Sequence, residues 1–164
     1  DNARVLGEKR VDWWTLMFFL MLFATVGTLK QTGVTGVIAN RIIELSGGNI
    51  PILTTLFAWS AGVLTAVMDN VLAVATFVPV VNDVASTGLQ TFPLWWAMLM
   101  GGTLMGNATL IGSTANIVAA GVLERQKLGE ITFAQWLKPG LIVAVSTLVI
   151  ANLLLLLQLQ LMPR

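Results

Sequence analysis

Apolar and polar positions come in long blocks along this chain. Residues 1–12 are polar and carry Arg4, Glu8, Lys9, Arg10 and Asp12. The uncharged run WWTLMFFLMLFATVGTL (13–29) follows. Taken from Val11 it measures about 28 Å as a helix, against a bilayer core of about 30 Å. This predicts a membrane span over 11–29, with Trp13 and Trp14 in the aromatic belt at its start. No small-residue cleavage pattern follows, so the run does not read as a signal peptide. Segment 34–46 differs: Val34, Val37, Ile38, Ile42 and Leu45 recur at helical spacing, with Asn40, Arg41 and Glu44 on the other side. That periodicity predicts an amphipathic helix lying in the interface. SGGN (46–49) then reads as a turn, and Pro51 restarts the chain near a helix start.

Two further apolar stretches are overlong. Residues 52–82 as one helix would measure about 46 Å, well beyond the bilayer core. Asp69-Asn70 sits inside this stretch. A helical hairpin resolves the excess length: it descends over 52–68 and returns over 71–82, with the polar pair at a tip near the midplane. The competing reading is an ordinary span that ends at an interfacial Asp69. TGLQTFP (87–93) is a loop, and the second stretch covers 93–123. Its centre, GGTLMGNATLIGSTAN (101–116), is rich in glycine, asparagine and hydroxyls, a composition that suits a broken helix better than a lipid-facing one. Tight packing of small residues is the alternative there, and the Gly102–Gly106 spacing fits it. ERQKLGE (124–130) is a charged loop, 131–138 reads as an interfacial linker helix that Pro139-Gly140 breaks, and 140–160 as the last span.

Composition sharpens the class. Of 164 residues, 56% are hydrophobic and 10% charged, where a soluble domain has about 25% charged residues. Mean hydropathy is +0.84. Cys, His and Tyr are absent, which removes disulfides, thiolate or imidazole metal sites and the usual nucleophile–base pairs. The net charge of +1 without a basic tract argues against nucleic acid. No enzyme and no cofactor are expected, apart from a coupling Na⁺ or H⁺. The chain starts at Asp1 rather than Met, which leaves a processed chain, a subdomain or an engineered piece open.

Charge placement favours the hairpin. With it, Arg4, Lys9, Arg10, Arg125, Lys127 and Lys138 share one side of the membrane, against Lys30, Arg41 and Arg164 on the other. The positive-inside rule then places the N-terminus in the cytoplasm, and the expected location is a bacterial inner membrane. Lys30 most simply snorkels to the interface, and Asn152 inside the last span reads as interhelical glue.

The two interruptions carry the candidate chemistry. Irregular backbone at bilayer depth survives only where protein buries it or where it lines a wet cavity. Half-helix N-termini suit anions, whereas unwound carbonyls and C-terminal ends suit Na⁺ or H⁺. Asp69 is the candidate coupling ligand for Na⁺ or a proton. Asn70, Asn107, Thr109, Ser113, Thr114 and Asn116 are candidates for polar contacts and half-helix caps. Gly106 and Gly112 would allow close backbone approach to a ligand or turns with φ > 0.

At GNATLIGSTANIVAAG, with TAVMDN, VDWWTLMFFLMLFATVG and ITFAQWLKPG, the chain resembles the second half of the ion transporter superfamily. That group includes arsenite permeases, the melanosomal P protein, citrate and dicarboxylate carriers and Na⁺/H⁺ antiporters. The order of elements matches over nearly all the chain, and the arsenite permease and P protein branch looks nearest. The resemblance implies an all-α membrane protein with transmembrane helices, a re-entrant helical hairpin and a discontinuous helix, forming one half of an inverted-repeat, elevator-like, dimeric transporter. Asp69-Asn70 and the loop from Asn107 to Asn116 would line the ion site. Two positions depart from the family: Leu72 stands where proline is common and Lys30 where many members are acidic. The expected function is half of a secondary active transporter for a small ion (an arsenite-like or carboxylate anion, or Na⁺/H⁺ exchange). The alternative is a non-transporting, transporter-derived structural subunit of a larger membrane complex. Expected partners are the lipid bilayer, the ion, and a second repeat or other membrane subunit in an oligomer.

Overall fold

The computed structural model of the chain describes residues 13–68, 70–127 and 129–162, in which every regular element is helical. Seven α-helices follow in order: α1 Trp13–Gln31, α2 Val34–Ser46, α3 Ile50–Val67, α4 Asn70–Ala85, α5 Phe92–Leu104, α6 Thr114–Arg125 and α7 Phe133–Gln158. Short 3₁₀ turns at Met105–Asn107 and Leu159–Leu161 extend α5 and α7. Val11 and Asp12 of the expected first span, and Asp69, lie outside the described residues.

Local chemistry sets the corners. Gly33, at φ 77°, caps α2 in the left-handed region that a side chain disfavours, and α1 and α2 meet there at 64°. Gly47 at φ 59° ends α2, and Asn49 opens α3 by accepting from the Ile52 N–H at 3.4 Å, with Pro51 in the first turn. On α2 the face toward the protein is Thr35, Ala39, Ile42 and Ser46, while Val34, Val37 and Leu45 point outward. Three small residues and Ile42 pack inward, while Val34, Val37 and Leu45 are left for lipid.

Helices α3 and α4 fold back on each other. The Phe57 and Phe77 rings stand edge to face with centroids 5.8 Å apart. On a continuous helix those positions would be about 30 Å apart. Helix α5 lies on α3 at backbone contact: a Cβ on Gly101 would fall 2.0 Å from the Ala58 carbonyl oxygen. The core includes Leu53, Phe57, Ala58 and Ala61 of α3, Phe77, Val80, Val81 and Val84 of α4, Leu94, Ala97 and Met98 of α5, and Ala144, Leu148 and Leu155 of α7.

One expected boundary is absent. Helix α7 runs unbroken from Phe133 to Gln158 through Pro139-Gly140, so the linker 131–138 and the span 140–160 share one helix. Pro139 removes only the bond its own N–H would give to the Gln135 carbonyl. Gly140 is buried in a packing notch. A capping box between Thr132 and Gln135 fixes the start of the helix.

Among the described residues two helices, Ile50–Val67 and Phe133–Leu161, are long and apolar enough to cross a membrane, and the bent α1–α2 pair makes a third if counted as one span. Large apolar side chains are exposed along α1, α6 and α7, including Trp14, Phe23, Val118, Ile142 and Leu157. In water this would be a large aggregation surface; in a bilayer it is the solvent-facing side.

Candidate functional site

The chain leaves helical geometry between Val67 and Asn70, and again between Leu104 and Thr114. These two breaks touch. The Thr109 hydroxyl donates to the Ala66 carbonyl at 2.6 Å, one residue before α3 ends, so the last turn of α3 is bound to the loop that follows α5. Thr65 lies in the same contact. Its carbonyl stands 2.9 Å from where a Cβ on Gly112 would sit, and its methyl 3.3 Å from the Cβ position of Gly106.

The loop 105–113 is closed by its own polar groups. Asn116 is buried, and its side-chain amide donates to the carbonyls of Gly106 and Thr109, both at 3.0 Å. The Thr109 hydroxyl also accepts from the Gly112 N–H at 2.9 Å. Gly106 and Gly112 pack backbone to backbone: a Cβ on Gly112 would lie 2.7 Å from the Gly106 carbonyl oxygen. The close approach these glycines permit here is to each other and to Thr65, without a turn of positive φ. Ser113 caps α6 by accepting from the Ala115 N–H at 3.3 Å, and Thr114 is the exposed first residue of that helix.

Helix α7 closes the other side. The Trp136 indole N–H donates to the Asn107 carbonyl at 3.0 Å. A cleft of about 430 Å³ lies between Asn107 and Asn116 on one wall and Trp136, Pro139, Gly140 and Val143 on the other. The Asn107 side chain is exposed.

At the hairpin tip, Asn70 opens α4 half-buried, and its Oδ1 lies 3.7 Å from the Cβ position of Gly102. The Thr65 hydroxyl oxygen lies equally close to that point, fully buried and with no hydrogen-bond partner. A buried hydroxyl without a partner costs about 1–3 kcal/mol, so an oxygen-seeking cation there would relieve a penalty. Among the described residues no three acidic, His or Cys side chains gather as a metal site.

Of the expected site residues, Thr109, Ser113 and Asn116 hold the loop, Asn70 borders the tip, Asn107 offers its side chain to the cleft, and Asp69 lies outside the described residues. Thr65 and the Trp136 donor were not expected. Thr65 lies one turn before the tip, and Trp136 reads in sequence as an ordinary belt residue.

These features define a helical integral membrane protein with two broken helices in mutual contact. The chain belongs to the citrate transporter (CitMHS) family, whose profile matches residues 9–163. That family is one of transporters rather than enzymes. The chain is 35% identical over 162 residues to an uncharacterized transporter of Synechocystis, covering 88% of this chain and 36% of that protein. An uncharacterized transporter of Mycobacterium tuberculosis is 36% identical over 148 residues, covering 88% and 34%. The P protein of Homo sapiens is 30% identical over 147 residues, covering 80% and 16%. The chain thus spans about a third of the length of the first of these relatives. No solved structure matches it.

Proposed function

We propose that this chain forms one ion-binding half of a secondary active transporter that moves a small carboxylate anion coupled to Na⁺ or H⁺. The observation that carries this is the interlock of the two breaks through Thr109 and Ala66. It gathers helix ends, which carry partial charges of both signs, into one place. The N-termini of α4 and α6 offer N–H groups to the anion. The Thr65 hydroxyl and Asn70 Oδ1, with Asp69 between the helices, offer oxygens to the cation. The citrate description of the family favours a carboxylate over an arsenite-like solute, and a second repeat or other membrane subunit in an oligomer would complete the site.

The length and charge of helix α7 support a depth for the site. The Asn107 and Ala108 carbonyls lie against Gly140, close to the level of Lys138, whose ammonium must reach headgroups. The 17 residues 141–157 that follow are uncharged and measure about 26 Å, nearly the whole hydrocarbon core. The site therefore sits at the edge of the core where α7 begins, away from the midplane expected from the spacing alone. Helix α3, at about 27 Å, reaches it from the opposite face. By the charge asymmetry this is the cytoplasmic edge.

The test is uptake of radiolabelled citrate into proteoliposomes by the full-length protein, under a Na⁺ or a pH gradient, for wild type and Asp69→Asn. Gradient-driven uptake that the variant loses supports the reading. Wild-type uptake retained by Asp69→Asn removes Asp69 from coupling, and no ion flux from wild type, arsenite included, shifts the reading to a structural subunit.

A further inference from the structure

We propose that Trp136 is a positioning residue for the ion site: its indole N–H holds the Asn107 carbonyl and thereby sets the shape of the loop 105–113. The inference rests on the functional reading above. Helix α5 and its 3₁₀ extension end at Asn107, so the Gly106 and Asn107 carbonyls belong to a last turn without intrahelical partners. Asn116 takes that of Gly106, together with that of Thr109 beyond the helix end, and Trp136 takes that of Asn107. Asn116 belongs to the same broken segment and can close the loop only on itself. Trp136 belongs to α7, and its bond ties the loop to that long helix, as the Thr109 hydroxyl ties it to the end of α3.

The surroundings of Trp136 suit that task. One turn along α7, Gly140 leaves a notch into which the loop presses. A Cβ there would lie 2.6 Å from the Asn107 oxygen, 2.9 Å from the Ala108 oxygen and 2.9 Å from the Trp136 Nε1. Donor and notch thus clasp the same carbonyl. The same loop carries Thr109, whose hydroxyl holds the hairpin tip at Ala66, so the chain of contact runs from α7 through Asn107 and Thr109 to the tip. Trp136 itself touches neither Thr65 nor Asn70, and its effect on a bound cation passes through the loop.

Trp136→Phe removes the donor and keeps an aromatic ring; Trp136→His restores a ring N–H; Gly140→Ala crowds the carbonyl from the other side. Two readouts are measured on the full-length protein in detergent. The first is hydrogen–deuterium exchange of peptides covering 105–116, with 53–62 of α3 as internal reference. The second is the NaCl concentration giving half-maximal thermal stabilisation, with N-methylglucamine chloride as control. Trp136→Phe is expected to raise exchange in 105–116 but not in 53–62, and to shift the Na⁺ midpoint upward about five-fold, the loss of one ordinary hydrogen bond. Trp136→His is expected to recover most of both, and Gly140→Ala to reproduce the Phe phenotype. Exchange in 105–116 that is unchanged in Trp136→Phe, or a His variant no better than Phe, overturns the proposal. A wild type indifferent to Na⁺ instead overturns the Na⁺ reading of the site, while the exchange arm still decides the role of Trp136.

Discussion

Gly101→Ala is a one-carbon test of the packing that brings the two breaks together. The added Cβ would stand 2.0 Å from the Ala58 carbonyl oxygen and 2.8 Å from its carbon, where real Cβ contacts essentially never fall below 3.0 Å. Both partners are backbone, so no rotamer change relieves the clash, and α3 and α5 must part by at least about 1 Å. Overpacking of this kind costs about 1–3 kcal/mol where side chains can yield; with backbone on both sides the upper end, about 3 kcal/mol, is expected. Helix α3 carries the separation eight residues on to Ala66. A shift of that size takes the 2.6 Å bond from Thr109 past about 3.5 Å, where it no longer counts as a hydrogen bond. Gly121→Ala on α6 is the matched control, because nothing lies within 4 Å of its Cβ position, and there helix propensity favours alanine by up to about 1 kcal/mol. The assay is the apparent melting temperature of the full-length protein in detergent, followed by solute uptake in liposomes. Gly101→Ala should melt several degrees lower and lose uptake, with Gly121→Ala unchanged or slightly raised. A Gly101→Ala protein that melts with wild type would refute the close crossing and the mechanical link drawn from it.

Other expectations follow from single contacts. Asn116→Ala orphans the Gly106 carbonyl and leaves that of Thr109 only a long 3.4 Å bond from the Gly112 N–H, and should cost about 1–3 kcal/mol, read as a lower melting temperature and faster exchange in 105–113. Asn116→Asp, which sets a carboxylate against the same two oxygens, should be worse. Thr109→Val should cut solute uptake and destabilise by about 1 kcal/mol, whereas Thr109→Ser, which keeps the hydroxyl, should behave as wild type in both assays. Thr35 is buried and donates to Asp83 at 2.8 Å, so Asp83→Leu should destabilise by about 1–2 kcal/mol and Asp83→Asn, which keeps an acceptor, by less, on the same thermal assay. Asn152 gives one weak bond to Thr55 at 3.2 Å and leaves its buried Oδ1 without a partner. Asn152→Leu should therefore leave the melting temperature unchanged or raise it.

The places where the chain departs from helix were legible because length and polarity are strong signals in lipid. A 31-residue apolar stretch cannot be one straight span, and Asp69-Asn70 marks where it folds: α3 ends at Val67 and α4 starts at Asn70. Gly106 to Asn116 likewise marked the second break, although of the three candidate caps Ser113, Thr114 and Asn116 only the structure singles out Ser113, and α6 starts at Thr114. The loop's internal economy was not legible. Nothing in the spacing of Asn116 says that its amide bridges carbonyls 7 and 10 residues back, because that depends on how Gly106 and Gly112 meet. The reading of Pro139-Gly140 as a break weighed the missing N–H but not the neighbours. Gly140 is needed as a notch for Asn107 and Ala108, and a helix tolerates one absent bond where packing holds it. Trp136 was read for its affinity for the interface, and the destination of its N–H follows only from where α7 crosses α5.

The account depends on the two breaks being held against each other, and this chain contains no cysteine to confuse a direct measurement. Cysteines placed at Ala66 and Thr109 in an otherwise cysteine-free full-length protein should join rapidly in native membranes under mild oxidation. A pair at Phe57 and Phe77, whose rings lie 5.8 Å apart across the hairpin, serves as the positive control. Cross-linking of both pairs is the predicted result; a control pair that joins while 66 and 109 stay apart under every oxidant would contradict the account.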